Sequence, residues 1–371
     1  MRKYNKLILV GALSMILLFT LIYSSQIKNK TEVFNDDYSC MVIETTQEKN
    51  RTVFSFYDEK FKLSYQNEIP YSEYVSANID RICVEGDKLY CAPVDGDWEG
   101  KNDLLTIDLV NGMLVNKTHL PDELDLDKYI TVKDGEVYVN SNVNGDSYIC
   151  KVDTEGSVAS YIKVENETLG EMVVEGDRLY SFNYSEDGEK PKLYIFGKND
   201  LKKISVIEMN CADGLHPIVS DGNIFFLTND IDNEKSLLIG KYNIKENKID
   251  CQKIDESYGS GYYHLTQPVS ANGELWFVAS TEEGLCSLYE YELETGEVKK
   301  SLMDSTNIIQ IAFSGNNLYA LVDDEEENTD RIYIQKYDIT RAEPALIAQY
   351  NVTTQSKRKE LYYGAGFLKN D

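Results

Sequence analysis

One hairpin pattern recurs six times along the chain. In each copy, two apolar runs flank a glycine paired with aspartate or asparagine, as in VVEGDRLYSF from Val173 to Phe182. Such pairs favour two-residue turns between antiparallel strands, because these turns require positive φ angles and match the twist of the strands. The turn glycines are Gly86, Gly135, Gly176, Gly222, Gly273 and Gly315. Their spacing of 41 to 51 residues indicates a fold built from copies of one unit.

Each hairpin is followed by a second one, for example LYEYELETGEV after VSANGELWFV. Two hairpins supply four antiparallel strands per repeat, which is typical of the blades of a β-propeller. The 27 tyrosines are expected to fill the space between the faces of neighbouring blades. The sequence therefore predicts an all-β fold of the propeller type.

The two ends of the chain complete the predicted ring. Three strands, in DYSCMVIETT, TVFSFYDEKF and KLSYQNEI, precede the first full repeat, and ELYYGAGFLKND at the other end supplies a fourth. A blade shared by the two termini removes the exposed sheet edges that an open array would carry. We therefore predict a seven-bladed propeller over residues 36–371, with four strands in each blade and one composite blade.

An uncharged apolar segment, Leu7 to Tyr23, follows Arg2, Lys3 and Lys6. The segment is long enough to cross a bilayer as a helix, and the basic residues before it predict a cytoplasmic N-terminus. The expected order is a cytoplasmic tail (1–6), a transmembrane signal anchor (7–23), a linker (24–35) and an extracytoplasmic propeller in the cell membrane. A cleaved signal peptide is the alternative.

The stretch YELETGEV, with weaker copies in IDLVNGML and VDTEGSV, resembles the repeats of quinoprotein-like and YVTN-type propellers of exported bacterial proteins. The resemblance covers the whole predicted propeller. Quinone-dependent dehydrogenases of that superfamily dock tryptophans between blades, whereas this chain has only Trp98 and Trp276. We therefore expect neither the quinone cofactor nor its redox chemistry here.

The chain lacks the sequence motifs of the common catalytic sites. It has no Gly-x-Ser-x-Gly elbow, phosphate-binding loop or dinucleotide fingerprint, so no catalytic residue and no metal centre are predicted. His216 and His264 occur in two successive links between an outer strand and the next inner strand, in DGLHPIV and GYYHLTQ. Such links open on one face of a propeller, so the two histidines are candidates for a shared ligand site at the channel mouth. Two ordinary loop histidines are the alternative.

Acidic residues outnumber basic ones by 63 to 37, which leaves a formal net charge of −26 and argues against nucleic acid as a partner. Many of the acids occur in the links between second and third strands, on the same face as the two histidines. The candidate ligand-binding carboxylates are Asp95, Asp97, Glu99, Asp230 and Asp232. Thr106 stands where a calcium loop would place a bidentate glutamate, so we predict no cofactor and keep calcium as the alternative. Solvated hairpin tips are the simpler interpretation of this acidic ring.

Seven cysteines are spread about one per blade, and we expect no disulfide framework among them. Cys83 and Cys91 flank one turn. With Gly86 and Asp87 as the turn, Cys83 faces Tyr90, and Cys91 points to the other side of the sheet.

These observations predict a membrane-anchored monomer whose propeller is a binding, sensing or scaffold module. Its partner would be an unidentified protein, peptide or cell-wall ligand. The alternative function is a cell-surface hydrolase or lyase with a carboxylate-based site at the channel mouth.

Overall fold

The computed structural model describes residues 40–46, 51–58, 60–69, 74–75, 82–94, 102–110, 113–124, 128–184, 190–231, 233–256, 265–280, 285–303, 305, 307–324, 331–341, 343–351 and 361–368. The predicted tail, anchor and linker (1–6, 7–23 and 24–35) lie outside these residues. In the described part of the chain, no helix has the length and apolar character needed to cross a bilayer.

Thirty strands make up the regular structure of the described residues. In chain order they are β1 (Cys40–Thr46), β2 (Arg51–Tyr57), β3 (Leu63–Ile69), β4 (Tyr74–Val75), β5 (Ile82–Glu85), β6 (Lys88–Cys91), β7 (Pro93–Val94), β8 (Asp103–Asp108), β9 (Met113–His119), β10 (Lys128–Lys133), β11 (Glu136–Val143), β12 (Asp146–Val152), β13 (Val158–Val164), β14 (Leu169–Glu175), β15 (Arg178–Asn183), β16 (Lys192–Gly197), β17 (Lys203–Glu208), β18 (Leu215–Ser220), β19 (Asn223–Asp230), β20 (Asn233–Asn243), β21 (Lys248–Asp255), β22 (Val269–Ala271), β23 (Glu274–Ser280), β24 (Cys286–Glu292), β25 (Val298–Leu302), β26 (Ile308–Ser314), β27 (Asn317–Asp324), β28 (Arg331–Asp338), β29 (Ala345–Asn351) and β30 (Leu361–Leu368).

The strands form seven antiparallel sheets of four, which are the blades of a seven-bladed β-propeller. Blade 1 is β30-β1-β2-β3, blade 2 is β5-β6-β8-β9, and blades 3 to 7 are β10–β13, β14–β17, β18–β21, β22–β25 and β26–β29. The short strands β4 and β7 pair with each other outside the blades. The predicted fold class is therefore confirmed for the propeller.

The composite blade is also confirmed. Strand β30, from the C-terminal end, pairs antiparallel with β1, with Cys40 opposite Leu368. Neighbouring blades touch through their first strands, as β10 touches β5 and β14, so the first strand of each blade is the inner one. Because β30 takes this position in blade 1, the C-terminal strand closes the ring and leaves blade 1 with a full sheet.

All six predicted turns join an inner strand to a second strand through two residues. Asp134 and Gly135 both have positive φ, 57° and 76°, as a type I′ turn requires. In the Gly176-Asp177 turn the glycine comes first with φ 60°, as in type II′. The predicted register around the first turn holds as well, because Cys83 lies opposite Tyr90.

The hydrophobic core lies between the blades. Apolar clusters join blades 2 and 3, 3 and 4, 4 and 5, 5 and 6, 6 and 7, and 7 and 1. Tyrosines are central to these clusters, and Tyr138, Tyr180 and Tyr242 are fully buried in them. The expectation that tyrosine fills the space between blades is therefore confirmed.

The propeller has two unlike faces, which we name by their connections. The turn face carries the two-residue turns and the links between third and outer strands. The link face carries the links between second and third strands and those from an outer strand to the next inner strand. The candidate site lies on the link face.

Candidate binding site at the mouth of the channel

Two of the seven predicted ligand-binding residues, His216 and Asp230, belong to the described part of the chain. The others, His264, Asp95, Asp97, Glu99 and Asp232, lie outside it. The proposed pairing of His216 with His264 and the acidic loop before Gly100 therefore stay predictions. Among the described residues, no group of three or more His, Cys, Asp or Glu side chains is placed to hold a metal ion.

Asp230 ends β19 on the link face, where the sequence predicted it. An oxygen of its carboxylate lies 3.2 Å from Nζ of Lys253 on the outer strand of the same blade, and the aspartate side chain is only partly exposed. Asp230 is therefore an ion-pair partner within blade 5, with much of its charge compensated.

His216 lies inside the inner strand β18, although the sequence placed it in the preceding link. The pairing of β18 with β19 shifts register between Leu215 and Ile218, so His216 and Pro217 form a β-bulge. The histidine has φ 50°, in the left-handed region, directly before a proline that disfavours helical backbone in the residue before it. Strained backbone of this kind is concentrated at ligand sites and active sites.

Glu171 on the neighbouring blade is the partner of His216. Its Oε1 accepts a hydrogen bond from the backbone N of His216 at 3.2 Å and lies 3.2 Å from Nδ1 of the same residue. Both side chains are largely buried, with 13% of each exposed. The imidazole and the carboxylate therefore form one polar unit that bridges the inner strands of blades 4 and 5.

A second bulge positions Glu171. Between Leu169 and Met172, strand β14 contains one more residue than the facing part of β15. The two bulged segments, LGEM and LHPI, each begin an inner strand and place a titratable residue beside a glycine or a proline, between two apolar residues. That similarity is the signal by which Glu171, which the sequence analysis missed, could have been found.

A pair of tyrosines extends this unit towards blade 3. Tyr129 on β10 and Tyr184 after β15 lie with their hydroxyl oxygens 3.1 Å apart and their ring centroids 6.2 Å apart. The ring of Tyr184 packs on the backbone of Gly170, where a Cβ atom would stand 2.9 Å from it. We call Tyr129, Gly170, Glu171, Tyr184 and His216 the mouth arc, since they cross the inner ends of three blades.

Buried side chains hold the backbone of the β14 bulge. The Nδ2 of Asn140, which is fully buried, donates to the carbonyls of Leu169 at 2.6 Å and Gly170 at 3.2 Å. The hydroxyl of Ser181 lies 3.4 Å from the carbonyls of Gly170 and Glu171. These side chains replace the hydrogen bonds that the bulged carbonyls lose to the neighbouring strand. They thereby fix the backbone that carries Glu171.

Several buried polar atoms near the link face have no hydrogen-bond partner within the described structure. They include Oδ1 of Asn102, Oδ1 of Asn140, Oγ of Ser141, Oγ of Ser280 and Oε1 of Gln310. Unsatisfied buried acceptors are costly, and native proteins retain them mainly where a ligand or water completes the set.

A carboxylate with a raised pKa lies on the opposite face. Burial, followed by the charge of Glu290, raises the pKa of Glu274, which begins β23 next to its two-residue turn. Shifted carboxylates can indicate acid–base catalysis, but this pair lies on the turn face and beside Lys299. It does not contribute to the mouth arc.

No family model matches this chain, and neither does any curated protein sequence. Solved structures match it in fold. A protein from Lactobacillus plantarum superposes with a TM-score of 0.61 at 14% identity, over 89% of this chain and 99% of the other. A putative 6-phosphogluconolactonase from Bacteroides uniformis superposes with a TM-score of 0.60 at 13% identity, over 90% of this chain and 100% of the other.

A quinoprotein alcohol dehydrogenase-like protein from Bacteroides thetaiotaomicron gives a TM-score of 0.55 at 14% identity, over 85% of this chain and 76% of the other. At such identities these likenesses show the propeller fold alone. The resemblance to quinoprotein-like propellers thus holds at the level of architecture, and membership of that repeat family stays a prediction.

Proposed function

We propose that this chain is a membrane-anchored, extracytoplasmic propeller that binds an amine-bearing peptide of the cell wall at the mouth arc. The observation that carries the proposal is the largely buried Glu171–His216 unit, held on bulged inner strands. A carboxylate in a largely buried position recognises an ammonium group through charge-assisted hydrogen bonds.

Two further features favour that class of ligand. The half-buried rings of Tyr129 and Tyr184 offer an apolar surface with hydroxyl groups, which suits the backbone and side chains of a peptide. The net charge of −26 raises the local concentration of cationic ligands and repels anionic ones. The basic residues and apolar segment at the N-terminus support attachment to the membrane.

The binding part of the proposal is tested by co-sedimentation of the detergent-solubilised full chain with purified cell-wall sacculi. We expect the wild-type chain to pellet with sacculi and Glu171→Gln to stay largely in the supernatant. Glu175→Gln is the matched control, because Glu175 ends the same strand on the turn face. A wild-type chain that does not pellet, or an equal loss in both variants, would overturn the assignment.

The topology is tested with protease added to intact cells. We expect the propeller to be digested while an epitope fused to the N-terminus stays protected and fractionates with the membrane. Quantitative recovery of a soluble chain that lacks the first 25 or so residues would instead establish a cleaved signal peptide.

The contact between Glu171 and His216 also favours one second candidate, a hydrolase or lyase acting on the same material. A carboxylate that orients an imidazole is a common acid–base arrangement. This alternative predicts that sacculi incubated with the wild-type chain release soluble fragments and that Glu171→Gln abolishes the release. Binding without release supports the binding module.

A further inference from the structure

A groove lies on the rim of the propeller, between the outer strand of blade 3, β13, and the last two strands of blade 4, β16 and β17. Residues 162–167 line it on the side of blade 3, and Tyr194, Phe196 and residues 201–203 line it on the side of blade 4. We call it the rim groove. Its volume of about 570 Å³ is typical of ligand sites, and none of its lining residues belongs to the mouth arc.

The base of the rim groove is apolar. Phe196 and Leu201 are fully buried in it, and Tyr194 is only 3% exposed. Ile162 of blade 3 packs against the same apolar cluster and remains half-buried. Val206 lies opposite Tyr194 in the register of β16 and β17, so it is on the same face of blade 4, and it is 40% exposed. Ile162 and Val206 therefore supply apolar surface that a ligand can reach.

Polar contacts fix the two ends of the rim groove. At the turn-face end, the Ser160 hydroxyl donates to the carbonyl of Asn199 at 3.0 Å, and Nζ of Lys151 donates to Oδ1 of Asn199 at 3.2 Å. At the link-face end, Glu167 forms an ion pair with Lys192 of blade 4 at 2.9 Å. The groove is thus already formed without a ligand, which lowers the entropic cost of binding.

The charge of the rim groove differs from that of the whole chain. Its lining contains three lysines and two glutamates, whereas acidic residues outnumber basic ones by 63 to 37 in the sequence. Lys163 forms an ion pair with Asp146 at 2.8 Å, and Lys202 forms one with Asp200 at 3.1 Å. The exposed Lys203 has no ion-pair partner among the described residues. Lys203 therefore offers a position for a carboxylate within an acidic protein.

The outer edge of the same blade is open. Strand β17 pairs with β16 on one side, in regular register from Ser205 to Glu208, and no described strand pairs with its other side. Such an edge can accept a further strand from another chain. Because successive side chains of a strand point to opposite faces, an added strand would direct every second side chain towards the face that carries Val206.

We propose that the rim groove binds an extended acidic segment of a partner protein. The segment adds to the free edge of β17, packs apolar side chains against Ile162 and Val206, and places a carboxylate beside Lys203. This site lies on a different surface from the mouth arc and prefers a ligand of the opposite charge. The inference is therefore independent of the function proposed above.

The test measures fluorescence anisotropy of a synthetic peptide of alternating glutamate and valine, labelled at its N-terminus, with the detergent-solubilised full chain. We expect the wild type to bind this peptide and to bind poorly a matched peptide with lysine in place of glutamate. Lys203→Glu should weaken binding by about fivefold or more, because it replaces an attraction by a repulsion. Lys245→Glu is the matched control, since Lys245 is an exposed lysine of the turn after β20.

A second variant tests the shape of the rim groove at constant net charge. Ile162→Trp fills the groove, so the folded variant should lose binding of the acidic peptide, whereas Glu171→Gln in the mouth arc should bind it like the wild type. Thermal unfolding checks that Ile162→Trp is folded, and if it is not, the comparison of Lys203→Glu with Lys245→Glu decides. No binding by the wild type, an equal loss in both lysine variants, or unchanged binding in folded Ile162→Trp would each overturn the proposal.

Discussion

The two faces of the propeller connect the same strands in different ways. On the turn face, two-residue turns follow the inner strands of blades 2 to 7, and polar groups join one blade to the next. Glu85 of blade 2 accepts hydrogen bonds at 2.7 Å from the backbone N of Asp134 and of Gly135 in blade 3. On the link face, β14 and β18 are bulged, and His216 has a positive φ.

We assign stabilisation of the fold mainly to the turn face and, as proposed above, ligand binding to the link face. On the turn face, charged side chains pair with one another. Glu136 forms an ion pair with Lys151 at 2.7 Å. Lys198 of blade 4 forms ion pairs with Glu136 at 3.2 Å and with Asp134 at 3.3 Å. The link face instead carries the bulged Glu171–His216 unit, and Oδ1 of the neighbouring Asn140 has no hydrogen-bond partner within the described structure. Proteins retain such costs where a ligand is bound, so the two faces should respond differently to mutation.

Removing the C-terminal strand should disrupt the structure of both faces of the propeller. Deletion of residues 361–371 takes away the inner strand of blade 1 and exposes the edge of β1 and the side of blade 7. We expect aggregation, or a melting temperature lower by more than about 10 °C, from loss of a whole blade interface. Size-exclusion chromatography and thermal unfolding check this, and a monomeric truncation with unchanged melting would disprove the shared blade.

A turn-face mutation should lower stability without affecting binding. Glu136→Ala leaves Lys151, whose side chain is 6% exposed, without its ion-pair partner. We expect a loss of roughly 2 kcal/mol in the free energy of unfolding, since an uncompensated charge stays largely buried. Urea unfolding measures the loss, and sedimentation with sacculi at a temperature where the variant is folded should match the wild type. Weakened binding in the folded variant would remove the distinction between the faces.

Carboxylates on both faces should contribute to the loss of folding stability at low pH. Burial alone would raise the pKa of Glu136, but hydrogen bonds from Lys151 and Lys198 outweigh it and hold the pKa below 4.5. On the link face, burial alone would likewise raise the pKa of Glu167, but hydrogen bonds from Tyr194 and Lys192 outweigh it and lower that pKa. Because the unfolded chain binds protons more readily at these sites, their stabilisation is present above about pH 4.5 and is lost as the pH falls through the folded pKa values.

Urea unfolding at several pH values between about 3 and 7 tests this linkage. Glu136→Gln should flatten the acid decline in part, because Glu167 retains its own contribution. A decline with the wild-type slope in Glu136→Gln would show that the turn-face network does not contribute to it.

The sequence predicted the repeats well because their determinants are local. Glycine pairs such as Asp134-Gly135 specify a turn by φ alone, and alternating apolar residues specify the faces of each strand. The mouth arc was predicted only in part. His216 was identified as a candidate, whereas Glu171 and Tyr184 were not, because their proximity depends on one-residue bulges and on packing between blades.

The proposed ligand binds the link face through Glu171. The most direct measurement is calorimetric titration of the detergent-solubilised full chain with a soluble cell-wall peptide that carries a free amine, using wild type, Glu171→Gln and Glu175→Gln. We expect Glu171→Gln to weaken binding by roughly tenfold or more, as for a lost charged hydrogen bond, and Glu175→Gln to bind like the wild type. Equal affinities for all three proteins, or an equal loss in both variants, would contradict it.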